Sequence, residues 1–399
     1  MPDPSPGPAD APSTAAAPDP AGEKPTALRP GIALCLSGGG YRAMVFHVGA
    51  LWRLNEAGLL PKINRISSVS GGSITSAVLA LQWKTLDFKA DGVAARFGDF
   101  VKTIREFAGR DIDAGAVIAG LFLPGSINDR VIGAYDKHLF HGRTLQDLPD
   151  EAAGTPRFIF HATNIQSGAL WRFEKKQMGD YRVGLVDAPR TRLAVAVAAS
   201  SAFPPILSPA EVDIDQPMRK VDGNDLHYEP YTKTAVLSDG GVYDNLALET
   251  AFKTYQTVLV SDGGMKMSPD PKPKHDWARH SIRVMEVIDN QVRSLRKRFL
   301  VDSYQRGDHT GAYWGIATRY GEYELPDDPL GAAARDSSKL AAVPTRLEAM
   351  PADVQERLIN WGYTVCDAAL RKYCRESFAK LYGVTIAPPR GFPYPKAGY

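Results

Sequence analysis

The sequence has few cysteines, almost no net charge and no long hydrophobic run, and each shortage narrows the class of protein. Its 399 residues include three cysteines, and 47 basic side chains nearly balance 45 acidic ones, for a formal charge of +2. A disulfide-rich scaffold is therefore excluded, and no global field favours nucleic acid as a partner. With 44% hydrophobic and 23% charged residues, the composition is that of a soluble globular protein rather than a fibrous or fully disordered one.

The cysteines also indicate the compartment. They are Cys35, Cys366 and Cys374, and the last two are eight residues apart in one predicted helix. At 1.5 Å per residue this separates them by about 12 Å, which is too far for a disulfide. We therefore expect free thiols, no structural zinc site and a reducing compartment.

The first 30 residues differ from the rest of the chain. They contain nine prolines and seven alanines, and Leu28 is their only larger aliphatic residue. Such a segment cannot bury enough apolar surface to offset the entropy of ordering, so residues 1–29 are predicted to be a disordered tail. This tail lacks the basic start and apolar run of a secretory signal.

Two uncharged stretches, 114–127 and 193–210, are too short or too interrupted to span a bilayer. The expectation is a cytoplasmic protein.

Strand-like and helix-like segments alternate along the chain, which predicts an α/β fold with a largely parallel sheet. The predicted strands are short apolar runs at residues 31–36, 63–69, 157–162, 234–237 and 257–260. Helical patterns follow the first two strands, at residues 41–57 and 74–83, each after a glycine-rich turn. Turns of this kind lie at the carboxyl ends of the strands, where ligands bind in such folds. The functional site is therefore predicted at these turns.

The last 130 residues carry mostly helical patterns. From Ile282, apolar residues recur at spacings of three and four and predict a helix with one apolar face. Its members are Met285, Ile288, Val292, Leu295 and Phe299. Between residues 272 and 306, nine Lys or Arg stand against four acids. Two interpretations stay open: a solvated basic face on a packed helix, or a surface that attracts anionic lipid head groups.

Ser70 follows the second predicted strand, in the run 68–73 (SVSGGS). A nucleophile elbow needs small residues two positions before and after the nucleophile, so that strand and helix can approach each other. Gly72 meets this requirement, whereas Ser68 replaces the usual glycine. Because a serine-glycine turn also caps helices, this motif alone leaves open whether Ser70 is a nucleophile or a cap.

Three consecutive glycines, Gly38, Gly39 and Gly40, lie between the first predicted strand and its helix. Their backbone N–H groups are not shielded by side chains, and such a loop suits an anion. The anion is either a nucleotide phosphate, since residues 38–43 match the dinucleotide pattern G-x-G-x-x-A, or the oxyanion of an acyl transfer. A nucleotide-binding fold would end the next strand with an acid. This strand ends in serines instead, which favours the oxyanion hole.

Several residues are candidates for the base that activates Ser70. Asp239 and Asp262 each follow a predicted strand and precede two glycines, so another group can approach either carboxylate closely. An ordinary Asp-Gly turn is the alternative at both positions. A serine–aspartate–histidine triad would need one of three later histidines, none of which ends a predicted strand: His275, His280 and His309. His47 is predicted to be a packed core residue.

The motifs occur in the order found in patatin-like phospholipases. The chain resembles this family over about residues 31–264, through the glycine loop, the serine elbow, the segment 199–205 (ASSAFPP) and the Asp-Gly-Gly motif. The glycine loop is also similar to that of cytosolic A-type phospholipases. The resemblance implies a three-layer α/β fold, with a catalytic domain over residues 30–266 and a mainly helical extension over 267–399 that packs on it.

The resemblance also implies a Ser–Asp dyad and its supporting residues. Ser70 would be the nucleophile, Asp239 the base, and Gly38, Gly39 and Gly40 the oxyanion donors. Asp239 is preferred to Asp262 because the run 239–245 (DGGVYDN) matches the family pattern. Gly71 and Arg42 would support the site. Arg42 would do so through an ion pair that holds the glycine loop, or by attracting lipid phosphate.

The implied activity is hydrolysis of ester bonds in phospholipids or lysophospholipids through an acyl-enzyme, with no metal or organic cofactor. The substrate would be a lipid, and peripheral contact with a membrane is compatible with it. Two alternatives are an esterase for small soluble esters and a catalytically idle module that binds an anion or nucleotide.

Two further segments have open roles. Residues 114–127 would cap the acyl pocket, dip into a membrane or form a buried helix, and residues 203–205 would line a pocket or only pack. A solvated Asp, with a pKa of about 3.9, is a weak base, so the dyad requires Asp239 to be desolvated.

Overall fold

A computed structural model of the protein describes residues 27–112, 127–264 and 267–399. Within these residues eleven strands form one sheet. The strands are β1 (Arg29–Leu36), β2 (Ile63–Ser68), β3 (Arg157–Asn164), β4 (Ala169–Phe173), β5 (Gln177–Asp180), β6 (Gly184–Asp187), β7 (Ala210–Asp213), β8 (Met218–Arg219), β9 (Thr234–Asp239), β10 (Tyr255–Asp262) and β11 (Thr310–Gly315). Most of the predicted tail and of the segment 114–127 lies outside the described residues.

Helices cover both faces of the sheet. They are α1 (Gly40–Glu56), α2 (Gly71–Gln82), α3 (Phe97–Ala108), α4 (Ile127–Tyr135), α5 (Leu193–Ser200), α6 (Gly241–Asp244), α7 (Glu249–Phe252), α8 (Trp277–Arg306), α9 (Ser338–Ala341), α10 (Ala352–Ala369) and α11 (Arg375–Tyr382). A π-helical turn extends α4 over Asp136–Phe140, and another extends α10 over Leu370–Cys374. No helix in the described parts of the chain combines the length and the hydropathy needed to cross a membrane.

The sheet has a parallel centre and an antiparallel wing. Strands β11, β10, β1, β2 and β3 are adjacent in that order, and all four of their pairings are parallel. Beyond β3 the pairings with β4, β5, β6 and β8 are antiparallel, and β9 also runs antiparallel to β3. This topology confirms the predicted α/β fold with a largely parallel central sheet.

The apolar run of β1 is explained by burial on both sides. Ile32, Leu34 and Leu36 face a large core shared with α1, α2 and α10, whereas Ala33 and Cys35 face a smaller core on the other side of the sheet. All five residues are fully buried. A central parallel strand therefore appears as a continuous apolar segment rather than an alternating one, and the molecule has three layers.

The register of the central strands brings the predicted motifs to one edge. Leu36 pairs with Ser68 on β2 and with Ser261 on β10, so the three strands end together. The glycine loop, the Ser70 turn and the Asp262 turn follow these ends directly. Asp239 joins them because β9 pairs with β3 in antiparallel register, which places Asp239 opposite Ala162.

The C-terminal residues are tied to the same core. Strand β11 extends the sheet next to β10, and α10 packs directly on α1. A Cβ atom on Gly49 would collide with the carbonyl oxygen of Ile359, and one on Gly362 would collide with that of Phe46, so the two helices touch backbone to backbone. The division of the chain at residue 266 stays a prediction.

Helix α8 leaves its apolar stripe exposed, and Ile288 on this stripe is 57% exposed. A different side of the helix faces the protein. There the Arg296 guanidinium donates a 3.0 Å hydrogen bond to Glu249 and lies 3.6 Å from Asp244, and Leu300 is fully buried. Ionic contacts and the Leu300 side chain therefore attach this helix, and both interpretations of its basic segment stay open.

The contact between α1 and α10 gives a stability prediction. Gly362→Ala should lower the free energy of unfolding by about 2 kcal/mol or more, because the two backbones must separate to admit a methyl group. Gly133→Ala is the matched control, since a methyl group on this helical glycine would have, among the described residues and beyond its own helix backbone, no atom within 4 Å, and alanine is the better helix former by about 0.5–1 kcal/mol. Urea unfolding measures both. Equal stabilities of the two variants would contradict the close contact.

Candidate active site

Ser70 occupies a sharp turn between β2 and α2. Its backbone angles are φ 52° and ψ −121°, a conformation that a residue with a side chain adopts only at a cost of about 1–3 kcal/mol. Its N–H donates to the carbonyl and hydroxyl oxygens of Ser200, both at 3.1 Å. The turn is therefore held from outside the elbow, and it presents the Ser70 hydroxyl at the carboxyl edge of the sheet.

Ser68, which replaces the usual elbow glycine, is accommodated by a cluster of hydroxyl groups. Its Oγ lies 2.7 Å from Ser76 Oγ, accepts from Ser73 Oγ at 3.2 Å and donates to the Ile159 carbonyl at 3.2 Å. These bonds connect β2 to α2 and β3. Gly72 is the position that must remain small, because a Cβ there would collide with the carbonyl oxygen of Leu36.

Asp239 lies beside Ser70 in a buried position. One carboxylate oxygen accepts the N–H of Gly241 at 2.7 Å. The N–H groups of Ser70 and Gly240 donate to the same Ser200 carbonyl oxygen, at 3.1 and 3.3 Å, which brings Ser70 and Asp239 together. Burial raises the pKa of Asp239 to about 7, an effect that the Gly241 N–H and the nearby Ser70 side chain reduce and the charge of Asp289 increases. A carboxylate with a pKa near 7 is a far better base toward a hydroxyl group than a solvated one.

Asp262 has other partners. One of its carboxylate oxygens accepts the N–H of Gly264 at 2.8 Å, and the other accepts the Tyr313 hydroxyl at 2.6 Å. The Ser70 side chain instead lies close enough to Asp239 to lower the pKa of that carboxyl. The structure thus brings Ser70 and Asp239 together, while Asp262 braces the turn after β10.

The structure does not bring the later histidines to Ser70. His275 and His280 are exposed around the start of α8. His309 bonds Ser303 Oγ at 2.6 Å and the Phe252 carbonyl at 2.9 Å, and it precedes β11 at the amino edge of the parallel strands, opposite Ser70.

His47, predicted to be a core residue, is fully buried behind the glycine loop. Its ring nitrogens bond Ser261 Oγ at 2.8 Å and the Ser37 carbonyl at 3.0 Å. Burial lowers the pKa of His47 to about 4, so the ring is neutral at pH 7 and connects the glycine loop to β10.

The glycine loop provides fewer free donors than expected. The Gly38 N–H donates to the Asn245 carbonyl at 3.2 Å, so the expectation that Gly38 is an oxyanion donor is corrected. Within the described residues the N–H groups of Gly39, Gly40 and Gly71 donate no hydrogen bond. Gly39 and Gly40 have φ of 137° and 55°, which favours glycine. A Cβ on Gly71 would collide with the Gly40 carbonyl, so the two turns are in contact.

Arg42 is fully buried and holds the loop through carbonyl groups. Its Nε and Nη2 donate to the Gly263 carbonyl at 3.2 and 2.9 Å, and Nη1 donates to the Val343 carbonyl at 2.8 Å. Burial lowers its pKa to about 10, and it stays charged at neutral pH. Neither expectation for Arg42 is met: its partners are carbonyls rather than a carboxylate, and its burial keeps it from lipid phosphate.

A C-terminal segment, residues 341–347, covers the glycine loop. The Tyr41 N–H donates to the Arg346 carbonyl at 3.5 Å, and a Cβ on Gly40 would collide with the Thr345 carbonyl. The sequence does not predict this contact between residues 341–347 and the glycine loop, because the segment carries no motif. We call the segment the brace. Sequence reasoning also missed the roles of Ser200 and Asn245, although Ser200 lies in the run 199–205 and Asn245 ends the run 239–245.

Metal binding finds no support at the site. In the described ranges, no group of three His, Cys, Asp or Glu side chains is arranged to hold a metal ion. The polar groups around Ser70 are hydroxyls, amide N–H groups and one carboxylate. Such a set can accept a proton and stabilise an oxyanion.

Comparison with known proteins agrees with this geometry. A sequence model of the patatin-like phospholipase family matches residues 34–252. This match covers more than half of the chain and includes the glycine loop, the Ser70 elbow and Asp239. The chain belongs to the patatin-like phospholipase family. A search of curated proteins found no match.

Matches to solved structures are at low sequence identity. Human GIVD cytosolic phospholipase A2 in complex with methyl gamma-linolenyl fluorophosphonate is 14% identical, with a TM-score of 0.50, over 84% of this chain and 57% of that chain. VipD from Legionella pneumophila is 14% identical with a TM-score of 0.35, over 86% of this chain and 67% of that one. The chain therefore spans little more than half the length of the human structure.

The buried carboxylate gives a prediction for stability against pH. The pKa of Asp239 is higher in the folded protein than in the unfolded chain, so its contribution to stability is present below pH about 4 and is lost as the pH rises through about 7. Asp239→Asn removes this loss of stability, because asparagine does not ionise. The stability of the variant relative to wild type should therefore grow by up to about 1.4 kcal/mol per pH unit in that window. Denaturant unfolding between these pH values measures the difference, and parallel curves would contradict the elevated pKa.

Proposed function

We propose that the protein is a lipid acyl hydrolase that cleaves carboxylic ester bonds of phospholipids or lysophospholipids, with Ser70 and Asp239 as its catalytic dyad. One observation carries the proposal: Ser70 lies beside the buried carboxylate of Asp239, and burial raises the pKa of this carboxylate to about 7. Membership of the patatin-like phospholipase family supports the class of substrate.

In the proposed mechanism Asp239 accepts the hydroxyl proton as Ser70 Oγ attacks the ester carbonyl carbon. The tetrahedral intermediate collapses, the bond to the alcohol oxygen breaks, and the proton on Asp239 passes to that oxygen. Water then attacks the acyl-enzyme while Asp239 takes its proton, and the carboxylic acid leaves as the proton returns to Ser70. Asp239 thus acts as a base and then as an acid in each half-reaction, which a pKa near 7 suits.

The oxyanion of both tetrahedral intermediates would be stabilised by the N–H groups of Gly39, Gly40 and Gly71. They belong to two turns in contact with each other, and none of them donates a hydrogen bond within the described residues. Preorganised donors of this kind are worth about 10²–10³ in rate each. The Arg42 bonds and the segment 341–347 would keep the first turn in place.

The buried free thiols Cys35, Cys366 and Cys374 fit a reducing compartment such as the cytoplasm. We therefore propose that the enzyme acts there, on lipid or at a membrane surface. The same chemistry would serve an esterase for small soluble esters, and the two are separated by the choice of substrate in the assay below.

The proposal is tested by measuring fatty acid release from phospholipid vesicles and acid release from a short-chain soluble ester. Ser70→Ala and Asp239→Asn should each lose about 10³-fold or more of the activity, because each removes a member of the dyad. Asp262→Asn is the matched control, since Asp262 also precedes two glycines at a strand end but bonds Tyr313. It should keep activity within about tenfold of wild type.

Full activity of Ser70→Ala would refute the nucleophile. Loss of activity in Asp262→Asn together with its retention in Asp239→Asn would move the base to Asp262. Activity on the soluble ester without any release from vesicles would favour the esterase. Calorimetric binding of a nucleotide with no hydrolysis of either ester would instead favour an idle binding module.

A further inference from the structure

Helix α8 turns a polar face toward the protein. Asp289, Arg293 and Arg296 follow one another at spacings of four and three and therefore share one side of the helix. Arg296 bonds Glu249 at 3.0 Å and the Tyr243 carbonyl at 3.3 Å. Burial raises the pKa of Asp289, and the charge of Arg293 partly offsets this. The inward contacts of this stretch of α8 are thus mainly polar and ionic.

Another side of α8, about a third of a turn away, is apolar and exposed. We call it the outer face, and it comprises Trp277, Val284, Met285, Val287, Ile288, Leu295 and Phe299, which are 43–84% exposed. Five of these residues lie at successive spacings of seven, four, seven and four, so they form one stripe along the helix. A surface helix of a globular protein normally has the reverse orientation, with its apolar stripe on the core. At one end of this face the Phe299 ring centroid lies 4.8 Å from that of Phe252, and the rest of the outer face is exposed apolar surface among the residues that the structure describes.

This helix lies against the candidate active site. The charge of Asp289 contributes to raising the pKa of Asp239, and α8 contacts α6, which begins two residues after Asp239. Val242 on α6 is 49% exposed, and Phe203 is 59% exposed one residue after Ala202, whose carbonyl accepts the Asp239 N–H at 2.9 Å. Exposed apolar side chains therefore lie both on α8 and around the Ser70–Asp239 pair.

Positive charge accompanies the apolar stripe. Residues 272–306 hold nine Lys or Arg and four acids. Lys272 and Lys274 are exposed just before Trp277, and Arg298 is exposed beside the stripe. An apolar face bordered by basic residues, with a tryptophan at its end, matches a surface that inserts among lipids while its cations contact anionic head groups. A second copy of this chain would instead bring these like charges together.

We propose that the outer face of α8 docks on an anionic lipid bilayer and holds the Ser70–Asp239 pair at the membrane surface. The apolar side chains enter the boundary between head groups and acyl chains, and Lys272, Lys274 and Arg298 contact the head groups. The inference rests on the proposed function, because it explains how an enzyme with a buried dyad meets a lipid substrate. It adds the surface and the lipid charge that bring them together.

The test measures co-sedimentation of the full chain with vesicles of phosphatidylcholine, with and without phosphatidylserine. Ser70→Ala is the background, so that no lipid is hydrolysed during the measurement. This protein should bind the phosphatidylserine vesicles more tightly, and added salt should weaken the binding. Adding Ile288→Glu and Leu295→Glu should lower the partition coefficient at least about tenfold, because each change removes apolar area and places a negative charge against the membrane.

Leu381→Glu is the matched control. Leu381 is 42% exposed on α11, and the neighbouring Tyr382 hydroxyl bonds Gly31 and Thr257, at the amino edge of the parallel strands and thus opposite the site. This control should bind vesicles within about twofold of the background. Unfolding midpoints show whether each variant is folded. If the double variant does not fold, Trp277→Ala, at the exposed first residue of α8, should still weaken binding several-fold.

Three results would overturn the proposal: no vesicle binding by the Ser70→Ala protein, equal binding by the double variant, or equal loss in Leu381→Glu. A dimer that the double substitution dissociates without changing vesicle binding would assign the outer face to a second copy. Failure of the proposed function appears differently. In that case wild-type protein would bind vesicles but release no acid from any ester. Ester hydrolysis without vesicle binding would refute only the proposed docking surface.

Discussion

The position of Ser70 beside the buried carboxylate of Asp239 is the constraint on which the proposed site depends. A serine hydroxyl is a poor nucleophile unless a nearby base accepts its proton, and a solvated carboxylate is too weak for that role. Burial at the end of β9 raises the pKa of Asp239 to about 7. Burial therefore destabilises the charged carboxylate, which would make it the stronger base that the proposed dyad needs, and the surrounding elements keep it beside Ser70.

The glycine loop depends on contacts that are distant in the sequence. Arg42 joins the carbonyl of Gly263 to that of Val343, so three segments separated by up to 300 residues meet behind one turn. Helix α10 packs on α1 through Gly49 and Gly362 and so fixes the helix that begins at the loop. The C-terminal residues are thus part of the support of the proposed oxyanion hole, in addition to the residues that the family model covers.

Sequence patterns predicted the central strands and the turns after them, because apolar runs and glycines respond to local constraints. β1, β2 and β10 are buried on both faces and end in glycine-rich turns. Their positions could therefore be predicted from the local sequence, without knowledge of any tertiary contact. The residues alone left Asp239 and Asp262 as equal candidates, and the choice of Asp239 came from the resemblance to the family. The proximity of Asp239 to Ser70 requires the antiparallel pairing of β9 with β3. That pairing, like the brace at residues 341–347, leaves no local signal.

Helix α8 and Gly38 show which features sequence patterns do not predict. Periodicity identifies which residues of α8 share a face, but the direction of that face is decided by the ionic contacts of Arg296 with Asp244 and Glu249. Likewise, three consecutive glycines indicate unshielded N–H groups, yet the Gly38 N–H is taken by the Asn245 carbonyl. Both outcomes depend on partners that only the folded chain brings into reach.

The most direct test of the central claim is the pH dependence of kcat/KM for a soluble ester. Asp239 must be unprotonated to accept the Ser70 proton, so kcat/KM should fall about tenfold per pH unit below a midpoint near pH 7 and be constant above it. Asp239→Asn should abolish this transition together with most of the activity. A wild-type profile without a transition between about pH 5 and 8, or the same transition in Asp239→Asn, would contradict the account.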